Sequence, residues 1–148
     1  MSQSQPAIHQ RQAARRLAMQ ALYAWKLAGQ ELPELLQQFE QDPDYGKTDK
    51  DYFVNLVRGV VTNLDKLDAY LQPQLDRPLK QIDPVELSIL RLATFELEQH
   101  MEVPYKVVLN EAVSLTKKFG AVDAYKFVNG VLDKLVPTFR KLELSANQ

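Results

Sequence analysis

Cysteine is absent from this 148-residue chain, which excludes disulfides and thiolate metal sites together. Histidine occurs twice, at His9 and His100, too far apart to begin a recognisable metal site, so neither metal nor cofactor is expected. Glycine is scarce: the five residues do not cluster, which leaves no glycine-rich phosphate loop. No nucleophile elbow and no HExxH pair is found, and an enzyme is not expected. No apolar run approaches the ~18 residues of a membrane span. The opening MSQSQPAIHQ also lacks the apolar stretch of a signal peptide. Together these absences predict a cytoplasmic protein that works without a membrane.

Acid is missing as well, but only locally. The first thirty residues carry Arg11, Arg15, Arg16 and Lys26 and no acidic side chain, whereas Glu31 to Asp51 hold seven acids against two lysines. From Pro104 to Lys141 seven cations face three acids, so a net charge of -1 conceals two cationic segments. If folding brings those segments side by side, they build a positive field that attracts nucleic acid. The plainer alternative is solvated lysines scattered over helix surfaces.

A chain of this length is most simply one domain, burying roughly 68–70% of its unfolded surface. Nothing alternates with period two, so the expectation is all-α: a compact bundle of six to seven helices in two packed groups. Residues 1–8 read as a disordered lead-in before a single helical domain over 9–148, with an N-terminal group at about 9–72 and a C-terminal group at about 83–141. The first helix spans about His9 to Leu27 and stops at Gly29. A second runs from Pro33 to Gln41 and a third from Asp49 to Leu71. Pro73 and Pro78 bracket a connection that forms the seam. The fourth helix opens at Asp83-Pro84-Val85-Glu86, where Asp83 caps, Pro84 presets the first turn and Glu86 completes an acidic capping box. The fifth ends at Phe119 with Gly120 as a left-handed cap. The sixth runs from near Asp123 to about Lys141, with Pro137 a kink or a stop.

Helical projection of the first helix buries Ala14, Leu17, Ala18, Ala21, Leu22 and Trp25 and leaves Arg15, Arg16, Met19, Tyr23 and Lys26 on the other arc. Tyr23 there suits a partner or a stacked base, or else packs beneath another helix of the bundle. Phe127 falls at the rim of the sixth helix beside Lys126 and Lys134, placed either to stack on a splayed base or to close the edge of the core. Gly130, in mid-helix, implies close approach to the backbone, most cheaply by a neighbouring helix. Glu96 projects onto the apolar arc of the fourth helix, where a carboxylate needs a partner or a raised pKa, an ion pair being the default.

Four segments taken in order carry a resemblance: ARRLAMQALYAW (Ala14 to Trp25), DPVELSILRLATFEL (Asp83 to Leu97), VPYKVVLNEAVSLTKKFG (Val103 to Gly120) and KFVNGVLDK (Lys126 to Lys134). They are similar to successive motifs of the NusB family of bacterial transcription antitermination factors, and the likeness spans nearly the whole chain. It implies an all-helical RNA-binding adaptor that pairs with the ribosomal protein NusE, binds boxA-type single-stranded RNA of ribosomal RNA transcripts, and joins the antitermination complex on RNA polymerase. By position it implies RNA contacts from Arg11, Arg15, Arg16, Asp123, Lys126 and Phe127, and NusE contacts from Tyr23 and Glu86. QRQAARR is a thinner arginine cluster than the family often carries, which leaves open whether Arg77 and Lys80, in the connection before the fourth helix, offset it. Related domains occur fused to ribosomal RNA methyltransferases; with no catalytic domain after Gln148, a free-standing factor is expected. The alternative is a protein-interaction scaffold, or a homodimer paired through Met19 and Tyr23 that occludes the RNA face.

Overall fold

The structure, a computed structural model, describes residues 4–146 and is all-α: eight α-helices and no strand occur among the described residues. Residues 1–3 of the expected lead-in lie outside them. The chain divides into two compact units, Met1–Thr62 and Asn63–Gln148.

The first unit holds α1 (Gln5–Ala28), α2 (Leu32–Glu40) and α3 (Lys50–Thr62). Helix α1 begins before His9, so residues 5–8 are helix rather than lead-in. Ser4 supplies the cap by accepting from the Ala7 amide at 3.3 Å, and Pro6 presets the first turn. The helix stops where foreseen, at Gly29, whose φ of 68° is left-handed and whose amide donates to the Trp25 carbonyl. Ala14, Leu17, Ala18, Ala21 and Leu22 are buried as expected. Trp25 is only half-buried, and Met19, expected on the open arc, is 2% exposed. Phe53 of α3 anchors this unit. Phe39 and Tyr45 meet it edge-on at centroid separations of 6.4 and 6.0 Å.

The expected third helix is two helices, α3 and α4 (Leu64–Leu71), broken at Asn63. A β-branched run, Val60-Val61-Thr62, precedes the break, and the Thr62 hydroxyl donates back to the Arg58 carbonyl. The boundary between units therefore falls ahead of the Pro73–Asp83 seam. Helix α4 belongs to the second unit because it is tied to α5 (Pro84–Gln99) and α7 (Ala124–Phe139). Asp68 takes a bidentate pair from Arg91 at 2.9 Å for each bond, and Tyr70 packs edge-on against Phe139 at 4.8 Å.

Helix α5 is the axis of the second unit. Every residue from Glu86 to Leu97 is buried, and α4, α6 (Tyr105–Phe119) and α7 pack around it. Its two hydroxyls are satisfied locally: those of Ser88 and Thr94 donate to the carbonyls four residues back, of Pro84 and Leu90. Glu96 is buried as its projection predicted.

The C-terminal end of α5 is closed by a side chain from elsewhere. Arg140, buried at the end of α7, donates to the carbonyls of Leu97 (2.8 Å), Val103 (2.8 Å), His100 (3.0 Å) and Glu96 (3.3 Å). It also pairs with Glu143 of the short α8 (Lys141–Ala146) at 2.6 Å. The other Glu143 oxygen accepts from the Tyr105 amide at 2.9 Å and so caps α6, where Pro104 has no side chain to offer. Helix α7 passes through Pro137 and ends at Phe139.

Two glycine expectations change. Gly120 is extended (φ −90°, ψ −179°), not left-handed. Its lack of a side chain is required by space, since a Cβ would lie 2.9 Å from the Thr116 carbonyl oxygen. Among the described residues nothing beyond its own helix's backbone lies within 4 Å of where a Gly130 Cβ would be, so no neighbouring helix explains it.

Replacing Arg140 by alanine strands several buried carbonyls and the Glu143 carboxylate, and denaturant unfolding should show a loss of at least about 3 kcal/mol. Arg140→Lys should recover little of it, because a point ammonium cannot span the fork of carbonyls.

Candidate nucleic-acid and partner interface

In the first unit the acidic stretch folds back onto the arginines, reversing the segregation seen along the sequence. Asp49, at the start of α3, lies 3.7 Å from the Arg11 guanidinium, and Asp44 lies 3.6 Å from that of Arg16. Arg11 also covers the Tyr52 ring at 4.1 Å from its centroid, with Arg15 over the same ring at 5.6 Å. The backbone joins in: the Asp49 amide donates to the Gln10 carbonyl at 3.0 Å. Arg11 and Arg16 remain partly exposed. Arg15 is 4% exposed, so its charge does not reach the surface as the sequence predicted. Tyr23, one face round on α1, is half-buried.

In the second unit three of the predicted residues come together on the first turn of α7. Asp123 takes a left-handed conformation, φ 66°, at the N-cap, and its carboxylate lies 3.8 Å from the exposed Lys126 ammonium. Phe127 is half-buried, and the Arg77 guanidinium sits 5.0 Å from its ring centroid. Sequence reasoning noted Arg77 only as a spare cation and passed over Tyr125, whose ring carries Lys117 at 4.6 Å and Lys126 at 5.9 Å. The alternation Tyr125-Lys126-Phe127 was the available signal.

Glu86 is 7% exposed and does not act as the foreseen capping carboxylate. Asp83 makes the cap bond to the Val85 amide at 2.9 Å. The Glu86 carboxylate instead accepts from the Ala121 amide, in the turn that leads to α7. Its Oε2 is buried without a hydrogen-bond partner among the described residues. Burial, and then the neighbouring Asp83 charge, hold the Glu86 carboxyl above the usual range, against the opposing pull of the Ala121 amide and Arg77. Gly120 is adjacent; its missing Cβ would lie 3.7 Å from Glu86 Cγ.

Among the described residues no group of histidine, cysteine or carboxylate side chains is arranged to hold a metal, and no helix is long and apolar enough to cross a membrane. The molecule is thus an all-helical protein whose notable surface is a cation–aromatic turn beside a buried carboxylate. The NusB family model matches residues 12–137, and the chain belongs to the NusB family. It is 49% identical over 140 residues to the transcription antitermination protein NusB of Hahella chejuensis, covering 95% of this chain and 94% of that protein. It is 52% identical over 130 residues to the NusB of Idiomarina loihiensis, covering 88% and 94%. Among solved structures, T. maritima NusB superposes with a TM-score of 0.81 at 28% identity, covering 91% of this chain and 96% of that one. A complex of the antitermination factors NusB and NusE with double-stranded RNA gives 0.75 at 28% identity, covering 86% and 96%.

Two outcomes follow from the charges. Asp44→Asn and Asp49→Asn, the latter keeping a capping oxygen, should each free an arginine and tighten polyanion binding by about two- to fivefold, the worth of a surface ion pair. Heparin retention against salt is the check. For Glu86, a carboxyl whose folded pKa is raised binds its proton more tightly in the native than in the unfolded chain. Stability is therefore lost as pH rises through the folded value. Glu86→Gln should accordingly melt higher than the parent at neutral pH, with the gap closing below about pH 4, where the unfolded carboxyl is protonated too.

Proposed function

We propose that this chain is a cytoplasmic transcription antitermination factor that binds boxA-type single-stranded RNA of ribosomal RNA transcripts together with NusE. The pair then joins the complex that carries RNA polymerase through terminators. The observation that carries the reading is the first turn of α7, where an exposed lysine and a ring seated beneath a guanidinium stand ready for phosphate and base. Phe127 stacks on a base, Lys126 takes a phosphate, and Asp123 orients Lys126 while accepting from a base edge. Arg11 and Arg16 contribute through the first unit, exchanging their carboxylate partners for phosphates, and Arg15 serves by holding Tyr52. NusE docks on Tyr23 and on the Glu86 carboxylate, whose unpartnered oxygen takes a donor from it. The role is that of a binding adaptor; no step of covalent chemistry is assigned. The scaffold or homodimer alternative loses ground, because pairing through Met19 would need a side chain that is buried.

Fluorescence anisotropy with a labelled boxA-type strand tests the proposal. Affinity should fall steeply with salt, by about 0.7 in the log–log slope for each phosphate neutralised. Phe127→Ala should weaken binding by about 1–3 kcal/mol with helix content unchanged. An affinity indifferent to salt, or a Phe127→Ala variant that binds like the parent, would reject this surface as the RNA site.

A further inference from the structure

Gly130 lies inside α7, where glycine is less favourable than alanine, yet among the described residues nothing beyond the helix's own neighbouring backbone comes within 4 Å of its absent Cβ. The fold has no use for the missing methyl. Helical geometry places what surrounds it. At about 100° per residue, Tyr125 and Phe127 stand to either side of Lys126, and Gly130 sits about 40° from Lys126, one turn along. The exposed face between the two rings is thus a floor of Lys126, Asn129 and Gly130, about one helix width across, or 10–12 Å. Both rings are half-buried and both are seated by cations from outside α7: Arg77 on Phe127, and Lys117 of α6 on Tyr125.

We propose that an RNA strand crosses α7 from ring to ring, with Tyr125 as a second base-stacking platform, Lys117 pairing the adjacent phosphate, and Gly130 leaving clearance for the backbone between. The proposal rests on the RNA reading of this face and extends it by naming the strand's path and a second base. A ring flanked by two ammonium groups has its π-face held in a field that favours a nucleotide, whose base stacks while its phosphate meets the cations. Gly130 completes the geometry, because a methyl group at that position would stand on the floor of the path.

The test uses the full chain, a labelled boxA-type single strand and anisotropy over a salt series. Tyr125→Ala should weaken binding roughly five- to 150-fold, the equivalent of one stacked base, with an unchanged salt slope. Tyr125→Phe should bind within about twofold of the parent, since the ring is kept. Lys117→Gln should reduce the slope by about 0.7. Gly130→Ala should melt at a higher temperature, alanine favouring the helix, yet bind RNA more weakly; this pairing of signs is one a structural role would not produce. The variant also keeps the proposal open to failure should Tyr125→Ala fold poorly. If Tyr125→Ala binds like the parent while Phe127→Ala is weakened, the second platform is wrong and the RNA face survives. If Gly130→Ala melts higher with unaltered affinity, the ring-to-ring path is overturned. If Phe127→Ala is silent as well, the RNA reading of this face falls with it.

Discussion

At the end of α5 the chain turns back through residues 100–104, and the carbonyls exposed by that turn converge on one guanidinium. Arg140 takes those of Glu96, Leu97, His100 and Val103 and holds Glu143 beside them. A buried arginine without this cage would be prohibitively costly, and the cage without the arginine would be a cluster of unsatisfied acceptors. Because Arg140 is the residue that ends α7, the same contact fixes where α7 stops relative to the central α5. Glu143 then passes the constraint to the first amide of α6. The aromatic turn at the other end of α7 is positioned by a helix whose far end is clamped in this way. That suits a site whose rings and cations must be presented in one arrangement before a ligand arrives.

Charge in the first unit obeys a different logic. Arg11 and Arg16 are not left bare; Asp49 and Asp44 stand 3.7 and 3.6 Å away. Partly exposed pairs of this kind contribute at most about 1 kcal/mol each, so a phosphate can displace the carboxylate at small cost. The acids therefore lower the protein's attraction for any polyanion without removing the arginines from use. On the proposed reading, discrimination falls to the rings of the second unit, which answer to more than charge. Glu86 sits between two demands. It is buried enough to resist ionisation, yet it reaches the Ala121 amide in the turn that opens α7. A partner that supplies a donor to its free oxygen also stabilises the charged form of the group that holds that turn.

Much of this was legible from the residues. The helical period of the apolar positions placed α1, α5, α6 and α7 to within a few residues, because each buries a face whose spacing is written directly in the chain. Asp83 and Gly29 marked ends by chemistry that acts over three or four residues. What was misread was short or non-local. Ser4 caps a helix whose first turn looks like a polar tail, and Asn63 breaks a run whose apolar spacing continues across it. Gly120 answers to the Thr116 carbonyl rather than to a turn conformation.

By itself the amino-acid sequence determined an all-helical chain of the NusB family, with cations and aromatics interleaved near its end, since periodicity, capping and motif order are properties of neighbouring residues. Only the tertiary structure decided which charges are free. Pairing Arg11 with Asp49, burying Arg15 and Met19, enclosing Arg140 among carbonyls and leaving Gly130 open all depend on segments distant along the chain meeting in space. Electrostatic neutralisation and burial act through distance in three dimensions, and separation along the sequence is blind to both.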